Sequence, residues 1–187
     1  MGEGTSALDD HLLLIIDLQA VVAPGGAWEL PGIEPIIGAA ARVAEHHRGP
    51  ALATRHRPVP DQPGTHGPFA QHDDLDPLTH DASDLAPPIG HLEAVDKQSY
   101  SALESEEIRT AAERAGGVIL CGIETDCCVL ATVFDLLDAQ IPTIVVSDAV
   151  LGPDEVGHEG TLRCLQRLGE FVQLRTVDEL VGANPDT

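Results

Sequence analysis

Three residues of the sequence combine a reactive side chain with a position at or just beyond the end of a predicted strand: Asp17, Lys97 and Cys128. A thiol in the first turn of a helix lies near the positive end of the helix dipole, which favours the nucleophilic thiolate. A partly buried carboxylate suits a general base, and an ammonium group stabilises developing negative charge. Each residue alone also has an ordinary structural explanation, as a packed thiol, a turn carboxylate or a solvated lysine. Together they indicate catalysis by a cysteine nucleophile.

The other three cysteines do not share this position. Cys121 lies within an apolar strand and Cys164 in the middle of a predicted helix, where packing is the favoured interpretation. Cys127 adjoins Cys128, but neighbouring residues of a helix point about 100° apart, so one of the two faces a given pocket. The sequence has no Cys-x-x-Cys pair and its N-terminus lacks a secretory pattern. We therefore expect reduced thiols rather than disulfides or a zinc knuckle.

The elements that position these residues follow a regular alternation. Short β-branched and aliphatic runs alternate with amphipathic segments of helix length, which is typical of a parallel sheet covered by helices. We predict an α/β fold: a three-layer open parallel sheet of about five or six strands with helices on both faces. The predicted strands cover residues 12–16, 51–54, 94–95, 118–121, 143–146 and 171–173, and the predicted helices cover 33–47, 103–115, 126–139 and 154–168.

In such a sheet the carboxyl ends of the strands meet at one edge, and ligands bind along that edge. The polar residues expected there are Asp17, Arg55, Lys97, residues 124–128 and Asp148. A stretch rich in Pro, His, Asp and Gly from 55 to 90 would supply much of the pocket wall. We expect one domain over residues 1–187, with flexible tails at about 1–10 and 184–187.

Composition narrows the classes of function. The chain has 187 residues, with 10 basic and 31 acidic side chains and a net charge of −21. That charge argues against nucleic acid and anionic membrane surfaces as partners, and it tilts substrate preference toward neutral or cationic molecules. The longest apolar runs are too short for a membrane helix. We expect a soluble, cytoplasmic protein that acts on a small molecule.

Three segments carry a resemblance to a known family. They are the run from Ile15 to Gln19, Lys97 followed by residues 99–103, and Gly122-Ile123-Glu124-Thr125-Asp126-Cys127-Cys128-Val129. In this order they resemble the isochorismatase-like cysteine hydrolases, which include nicotinamidases, N-carbamoylsarcosine amidohydrolases and ureidoacrylate amidohydrolases. The resemblance extends from about residue 12 to residue 168.

The resemblance implies an Asp-Lys-Cys triad. Asp17 would take the thiol proton, Lys97 would hold the charged pair, and Cys128 would attack a carbonyl carbon to form a thioester. The motif favours Cys128 over Cys127 as the nucleophile, since the step from Thr125 matches there. A cis peptide at Ile123–Glu124 would turn the N–H of Glu124, with that of Cys128, toward the oxyanion. Isochorismatases proper lack this cysteine, so the resemblance implies an amide-cleaving hydrolase. It also implies an enzyme without a cofactor that forms a homodimer or homotetramer.

The sequence departs from the family at the metal ligands. Nicotinamidases carry an Asp-x-His pair after the second strand, where this chain has His56 and Pro58, between and beside Arg55 and Arg57. We therefore predict no metal site, since His66, His72, His80 and His91 also fit no compact ligand set. A metal-assisted nicotinamidase and a non-catalytic binding or assembly protein remain the alternatives.

Three residues are candidate substrate contacts: Arg55, Gln19 and Tyr100. Arg55 and Arg57 could hold a substrate carboxylate, or they could merely offset a very acidic surface.

Overall fold

A computed structural model describes residues 8–57 and 84–182. Its strands form one six-stranded parallel sheet in the order β3-β2-β1-β4-β5-β6. The predicted fold class is confirmed. The strands are β1 (Leu12–Ile16), β2 (Ala51–His56), β3 (Glu93–Lys97), β4 (Val118–Ile123), β5 (Thr143–Leu151) and β6 (Val172–Arg175).

Helices cover both faces of the sheet. The helices are α1 (Ile33–His46), α2 (Glu106–Arg114), α3 (Leu130–Asp138), α4 (Glu155–Gln166) and α5 (Val177–Val181). Buried residues of α1 and α5 pack in one apolar cluster, and those of α2, α3 and α4 pack in a second cluster. The strand β1 contributes to both, because Leu13 and Ile15 belong to the first cluster and Leu12, Leu14 and Ile16 to the second. This explains why the strand is an unbroken aliphatic run.

The strand order has a switch point beside β1. The chain passes from β1 outward to β2 and β3 on one side, then returns to β4 on the other side of β1. Parallel α/β sheets bind ligands at such a switch point, beyond the carboxyl ends of the strands. Here Asp17 follows β1 and the segment 124–128 follows β4, so both lie where this rule places a site.

A close approach between the two central strands depends on Gly122. This residue has φ of 121°, and a Cβ there would collide with the carbonyl oxygen of Ile16. Any larger residue would push β4 away from β1. The glycine therefore helps to hold the residues after β4 close to Asp17.

The predicted boundaries differ from the structure in several places. The strand β2 runs two residues further than predicted, to His56, and β5 runs five residues further, to Leu151. Asp148 is therefore inside β5 rather than beyond its end, and its Oδ1 accepts a 2.8 Å hydrogen bond from the Val177 N–H. The short helix α5 was not predicted; a capping box of Thr176 and Glu179 starts it. Most of the predicted pocket wall, residues 58–83, lies outside the described residues.

In the part of the chain that the structure describes, none of the helices has both the length and the apolar character needed to cross a bilayer.

Candidate active site

Asp17 follows β1 in an unusual backbone conformation. Its φ is 51°, in the left-handed region that few residues other than glycine adopt, and its side chain is buried. Thr54 of β2 contacts it twice: the hydroxyl donates to Asp17 Oδ1 at 2.6 Å and accepts from the Asp17 N–H at 3.1 Å. These two bonds fix both the backbone turn and the direction of the carboxylate.

Lys97 is the last residue of β3, and its side chain is also buried. Its Nζ lies 2.7 Å from Asp17 Oδ2 and 3.4 Å from Cys128 Sγ. The same nitrogen donates to the Ser99 carbonyl at 2.9 Å. One ammonium group thus lies against a carboxylate, a carbonyl and a sulfur. The structure thus brings the three residues of the predicted triad together.

Cys128 is held in one turn of π-helix, Thr125–Val129, between β4 and α3. Thr132 secures this turn, because its hydroxyl donates to the Cys128 carbonyl at 2.7 Å and accepts from the Ala102 N–H at 3.0 Å. The thiol is fully buried in the second apolar cluster, which also contains residues of α2, α3 and α4. Its sulfur nevertheless contacts Lys97 and lies within hydrogen-bonding distance of Asp17. π-Helical turns are rare and occur often at functional sites.

The charges of this site stabilise an ion pair beside a neutral thiol. Burial alone would lower the pKa of Lys97, but Asp17 and Cys128 raise it by more. Burial raises the pKa of the Cys128 thiol, the Asp17 carboxylate raises it again, and Lys97 offsets only part of this. The expectation that the helix dipole lowers the cysteine pKa is therefore wrong for the resting protein, because desolvation of the sulfur has the larger effect.

The main chain before the π-turn has the predicted special geometry. The peptide bond between Ile123 and Glu124 is cis. The Glu124 carbonyl accepts hydrogen bonds of 3.1 Å from the N–H groups of both Cys127 and Val129. The role of the Glu124 and Cys128 N–H groups as oxyanion donors stays a prediction.

A second cluster of polar groups lies next to the triad. Ligand atoms of Glu124, Asp126 and Cys127 all lie within 4.8 Å of one another, which makes them the group of described residues able to hold a metal ion. Burial and the nearby Asp126 raise the pKa of Glu124 to about 7, although a hydrogen bond with Cys127 opposes the rise. Burial and the same two carboxylates raise the pKa of Cys127 to about 11. Sequence analysis missed this cluster.

Arg55, one predicted substrate contact, already has protein partners. Its guanidinium lies 2.7 Å from Asp96 and 3.1 Å from Asp84. Both carboxylates compete with any carboxylate of a substrate. A role for Arg55 in substrate binding stays a prediction.

The other two predicted contacts lie in different environments. Gln19 is buried, and its side-chain amide bonds both the N–H (2.8 Å) and the carbonyl (3.4 Å) of His56, which braces the end of β2. Tyr100 is 40% exposed. Burial raises its pKa, and the charges of Cys127, Cys128 and Glu124 raise it further. Roles for both in substrate binding stay predictions.

The donor set of a nicotinamidase-type metal does not fit this chain. His56 is fully buried at the end of β2, and the flanking Arg55 and Arg57 both pair with Asp96. Pro58, which offers no ligand atom, lies with His66, His72 and His80 outside the described residues. Neither His56 nor Pro58 supplies the carboxylate that would offset the charge of a divalent cation, and the cationic Arg55 and Arg57 adjoin His56.

Sequence analysis missed three hydroxyl groups that position the site. They are Thr54 and Thr132, described above, and Thr125, whose Oγ1 lies 2.9 Å from His158 Nδ1. Thr125 was recognised only as a motif residue. Thr54 could have been predicted from the sequence. It is a polar residue at the end of the predicted strand next to β1, where a buried hydroxyl needs a hydrogen-bond partner nearby.

Curated relatives match part of this chain. It is 34% identical over 84 residues to the secreted isochorismatase effector Isc1 of Phytophthora sojae, a match that covers 43% of this chain and 40% of that protein. It is also 34% identical over 95 residues to isochorismatase domain-containing protein 2 of Xenopus laevis, covering 47% and 46%. The chain thus spans less than half the length of these two relatives.

Solved structures share the fold over nearly the whole chain. An isochorismatase-like hydrolase from Alkaliphilus metalliredigens superposes with a TM-score of 0.71 at 23% identity, covering 92% of this chain and 98% of that one. The MAR1 ribonuclease from Caenorhabditis elegans has a TM-score of 0.70 at 22% identity, covering 91% and 79%. N-carbamoylsarcosine amidase from Thermoplasma acidophilum has a TM-score of 0.69 at 22% identity, covering 89% and 96%.

The family assignment does not depend on these distant structures. Residues 11–179 match the family model of the isochorismatase domain. This range contains every described strand of the sheet and the residues Asp17, Lys97 and Cys128. The chain belongs to the isochorismatase-like hydrolase family.

Proposed function

We propose that this protein is a cysteine hydrolase that cleaves a C–N bond of a small amide, ureide or lactam. One observation carries the proposal: the Lys97 ammonium contacts both the Asp17 carboxylate at 2.7 Å and the Cys128 sulfur at 3.4 Å. A nucleophile, a base and a cation therefore meet within hydrogen-bonding distance at the switch point of the sheet. A binding module would have no need for all three groups in contact.

The first half of the reaction forms a thioester. Since the resting sulfur is a neutral thiol, Asp17 removes its proton as the sulfur attacks the carbonyl carbon, and the C–N bond then breaks. Asp17 gives that proton to the departing nitrogen, which leaves as ammonia or an amine. Lys97 keeps its positive charge and stabilises first the carboxylate and then the developing thiolate.

The second half of the reaction regenerates the thiol. Water attacks the thioester carbon, Asp17 accepts one proton from that water, and the C–S bond breaks to release a carboxylic or carbamic acid. Asp17 then returns the proton to the Cys128 sulfur. In both halves the N–H groups of Glu124 and Cys128 would donate to the oxyanion of the tetrahedral intermediate.

An amide is a better candidate substrate than a nucleic acid. One structural neighbour bears the name of a ribonuclease, but at 22% identity that likeness concerns the fold. A net charge of −21 repels a polyphosphate chain unless a basic groove overrides it. The neighbour named as an N-carbamoylsarcosine amidase is also 22% identical, so the choice of an amide depends on the contacts of Cys128 with Lys97 and on the charge of the chain.

The test measures ammonia release from primary amides and ureido acids, ring opening of lactams by mass spectrometry, and strand cleavage of RNA. We expect hydrolysis of at least one C–N substrate, its loss in Cys128→Ala, and its retention in Cys164→Ala, which removes a thiol from α4. Hydrolysis that a chelator abolishes would instead support a metal-assisted nicotinamidase. Hydrolysis of RNA alone, or of nothing in the panel, would contradict the proposal. Light scattering on the same preparation tests the expected homodimer or homotetramer.

A further inference from the structure

The π-turn that carries Cys128 is shaped by hydrogen bonds within its own segment of chain. The carbonyl groups of Glu124 and Thr125 accept these bonds from main-chain N–H groups later in the turn or directly after it. Such bonds give the turn its form, but they do not fix its place relative to Lys97 at the end of β3. The distance between the Cys128 sulfur and Lys97 therefore depends on what the turn contacts elsewhere.

Two hydroxyl groups anchor the turn to other parts of the chain. On one side, Thr132 bonds both the Cys128 carbonyl and the Ala102 N–H. On the other side, Oγ1 of Thr125 lies 2.9 Å from Nδ1 of His158, which is a residue of α4. Thr125 is fully buried, and a buried hydroxyl needs a partner, which His158 supplies. A hydroxyl can donate or accept, so the bond forms with either tautomer of the neutral ring.

The N-terminal turn of α4 also fits closely around Asp126, the residue after Thr125. A Cβ at Gly157 would lie 2.5 Å from Asp126 Oδ2, and a Cβ at Gly152, shortly before α4, would lie 3.2 Å from Oδ1. The two glycines therefore leave the space that this carboxylate occupies. The helix dipole of α4 favours a carboxylate at this end of the helix. A hydrogen bond and close packing thus hold the π-turn against α4.

We propose that His158 and Gly157 are positioning residues, which hold the π-turn against α4 so that the Cys128 sulfur stays in contact with Lys97. This inference rests on the proposed function, because the sulfur that they position is the proposed nucleophile. Both residues act through the turn rather than on the substrate. A displacement of about 1 Å at a reacting group can lower a rate about a hundredfold, so a small shift of the turn is sufficient to impair the reaction.

The first test replaces His158. Leucine cannot bond the Thr125 hydroxyl, whereas the amide of asparagine can place a nitrogen close to the position of Nδ1. His46→Leu is the matched control, because Nδ1 of His46 lies 2.8 Å from the Arg42 carbonyl on the exposed surface of α1. With a C–N substrate of the wild type, His158→Leu should lower kcat about tenfold or more and change KM less than about twofold. His158→Asn should restore most of kcat, and His46→Leu should keep it.

A pair of alanine variants tests the packing. Gly157→Ala and Gly160→Ala each replace a glycine of α4, with a similar gain in helix propensity. A Cβ at Gly160 meets nothing within 4 Å, whereas one at Gly157 collides with Asp126. We expect kcat to fall about threefold or more in Gly157→Ala and to stay unchanged in Gly160→Ala. This pair tests the inference even if circular dichroism shows that His158→Leu does not fold.

Hydrogen exchange separates this inference from the proposed function, because it needs no turnover. The peptide over residues 124–130 should exchange about threefold or more faster in His158→Leu than in the wild type, while the peptide over β1 should not change. Faster exchange at the turn, without hydrolysis of any amide by the wild type, would support the contact with α4 and overturn the proposed function.

The opposite result is equally distinct. Hydrolysis with a kcat that neither His158→Leu nor Gly157→Ala lowers would make both residues merely structural, even if the free energy of unfolding falls. That result would overturn the inference and leave the hydrolase proposal standing. Neither faster exchange nor hydrolysis would overturn both.

Discussion

Two groups of ionisable residues lie side by side at the carboxyl edge of the sheet, and they differ in how far the protein itself satisfies them. In the triangle of Asp17, Lys97 and Cys128, the buried ammonium lies 2.7 Å from the carboxylate and 3.4 Å from the sulfur. In the cluster of Glu124, Asp126 and Cys127, carboxylates outnumber donors, and the pKa of Glu124 rises to about 7. The triangle pairs a buried carboxylate with a buried cation, as the proposed catalytic role requires. In the cluster, burial and a neighbouring carboxylate act in the same direction on Glu124, and both favour its neutral form.

The largest expected effect distinguishes the two adjacent cysteines. Cys128→Ala should lower kcat/KM by about a thousandfold or more, because it removes the nucleophile. Cys127→Ala should lower it less than about tenfold, because it removes only a weak hydrogen bond to Glu124. Steady-state kinetics on both variants check this, with circular dichroism to confirm folding. Equal losses in the two variants would contradict the different roles.

The next effect concerns stability. Lys97→Met should lower the free energy of unfolding by about 3–5 kcal/mol, because it leaves the Asp17 carboxylate buried without its cation. The exposed pair of Arg42 and Asp178, at 2.6 Å, provides the control. Arg42→Met should cost less than about 1 kcal/mol, since water screens that pair. Urea unfolding measures both variants, and similar losses would show that Lys97 does not neutralise a buried charge.

The pH dependence of stability tests the unusual state of Glu124. Its pKa is 4.5 in a model peptide and about 7 here, raised by burial and by Asp126. Between these values the folded protein holds a proton that the unfolded chain has lost, so the free energy of unfolding falls as pH rises toward 7. Glu124→Gln should remove this fall, whereas Glu113→Gln, on the exposed surface of α2, should not. Urea unfolding of the wild type and of both variants across pH 4 to 8 measures this dependence. Parallel wild-type and Glu124→Gln curves would contradict the raised pKa.

The smallest effect tests how the triangle is positioned. Thr54→Val removes the hydroxyl that bonds both the carboxylate and the N–H of Asp17. We expect a loss of about 1–3 kcal/mol in unfolding free energy and a lower kcat, because Asp17 loses a donor that directs it. Thr54→Ser keeps the hydroxyl and should restore most of both quantities. A serine variant as impaired as the valine variant would point to packing instead.

Sequence patterns predicted the fold class and the chemistry-bearing residues better than the details of their surroundings. An aliphatic run ending at Asp17 and a glycine-containing turn before Cys128 are local features, so periodicity and motif spacing were sufficient. The extension of β5 to Leu151 follows an irregular pairing with β4 around Cys121, which depends on the neighbouring strand. The thiol's raised pKa depends on burial by residues distant in sequence. The partners of Arg55 and the cluster around Glu124 likewise appear only once the strands are assembled.

Trapping the covalent intermediate tests the central claim most directly. A substrate from the amide panel that turns over is mixed with the wild type and with Cys127→Ala, quenched in acid and analysed by peptide mass spectrometry. We predict an acyl group on Cys128 in both proteins, which disappears as substrate is exhausted, and no acyl group on Cys128→Ala. Turnover with the acyl group on Cys127, or undiminished turnover by Cys128→Ala, would contradict the account.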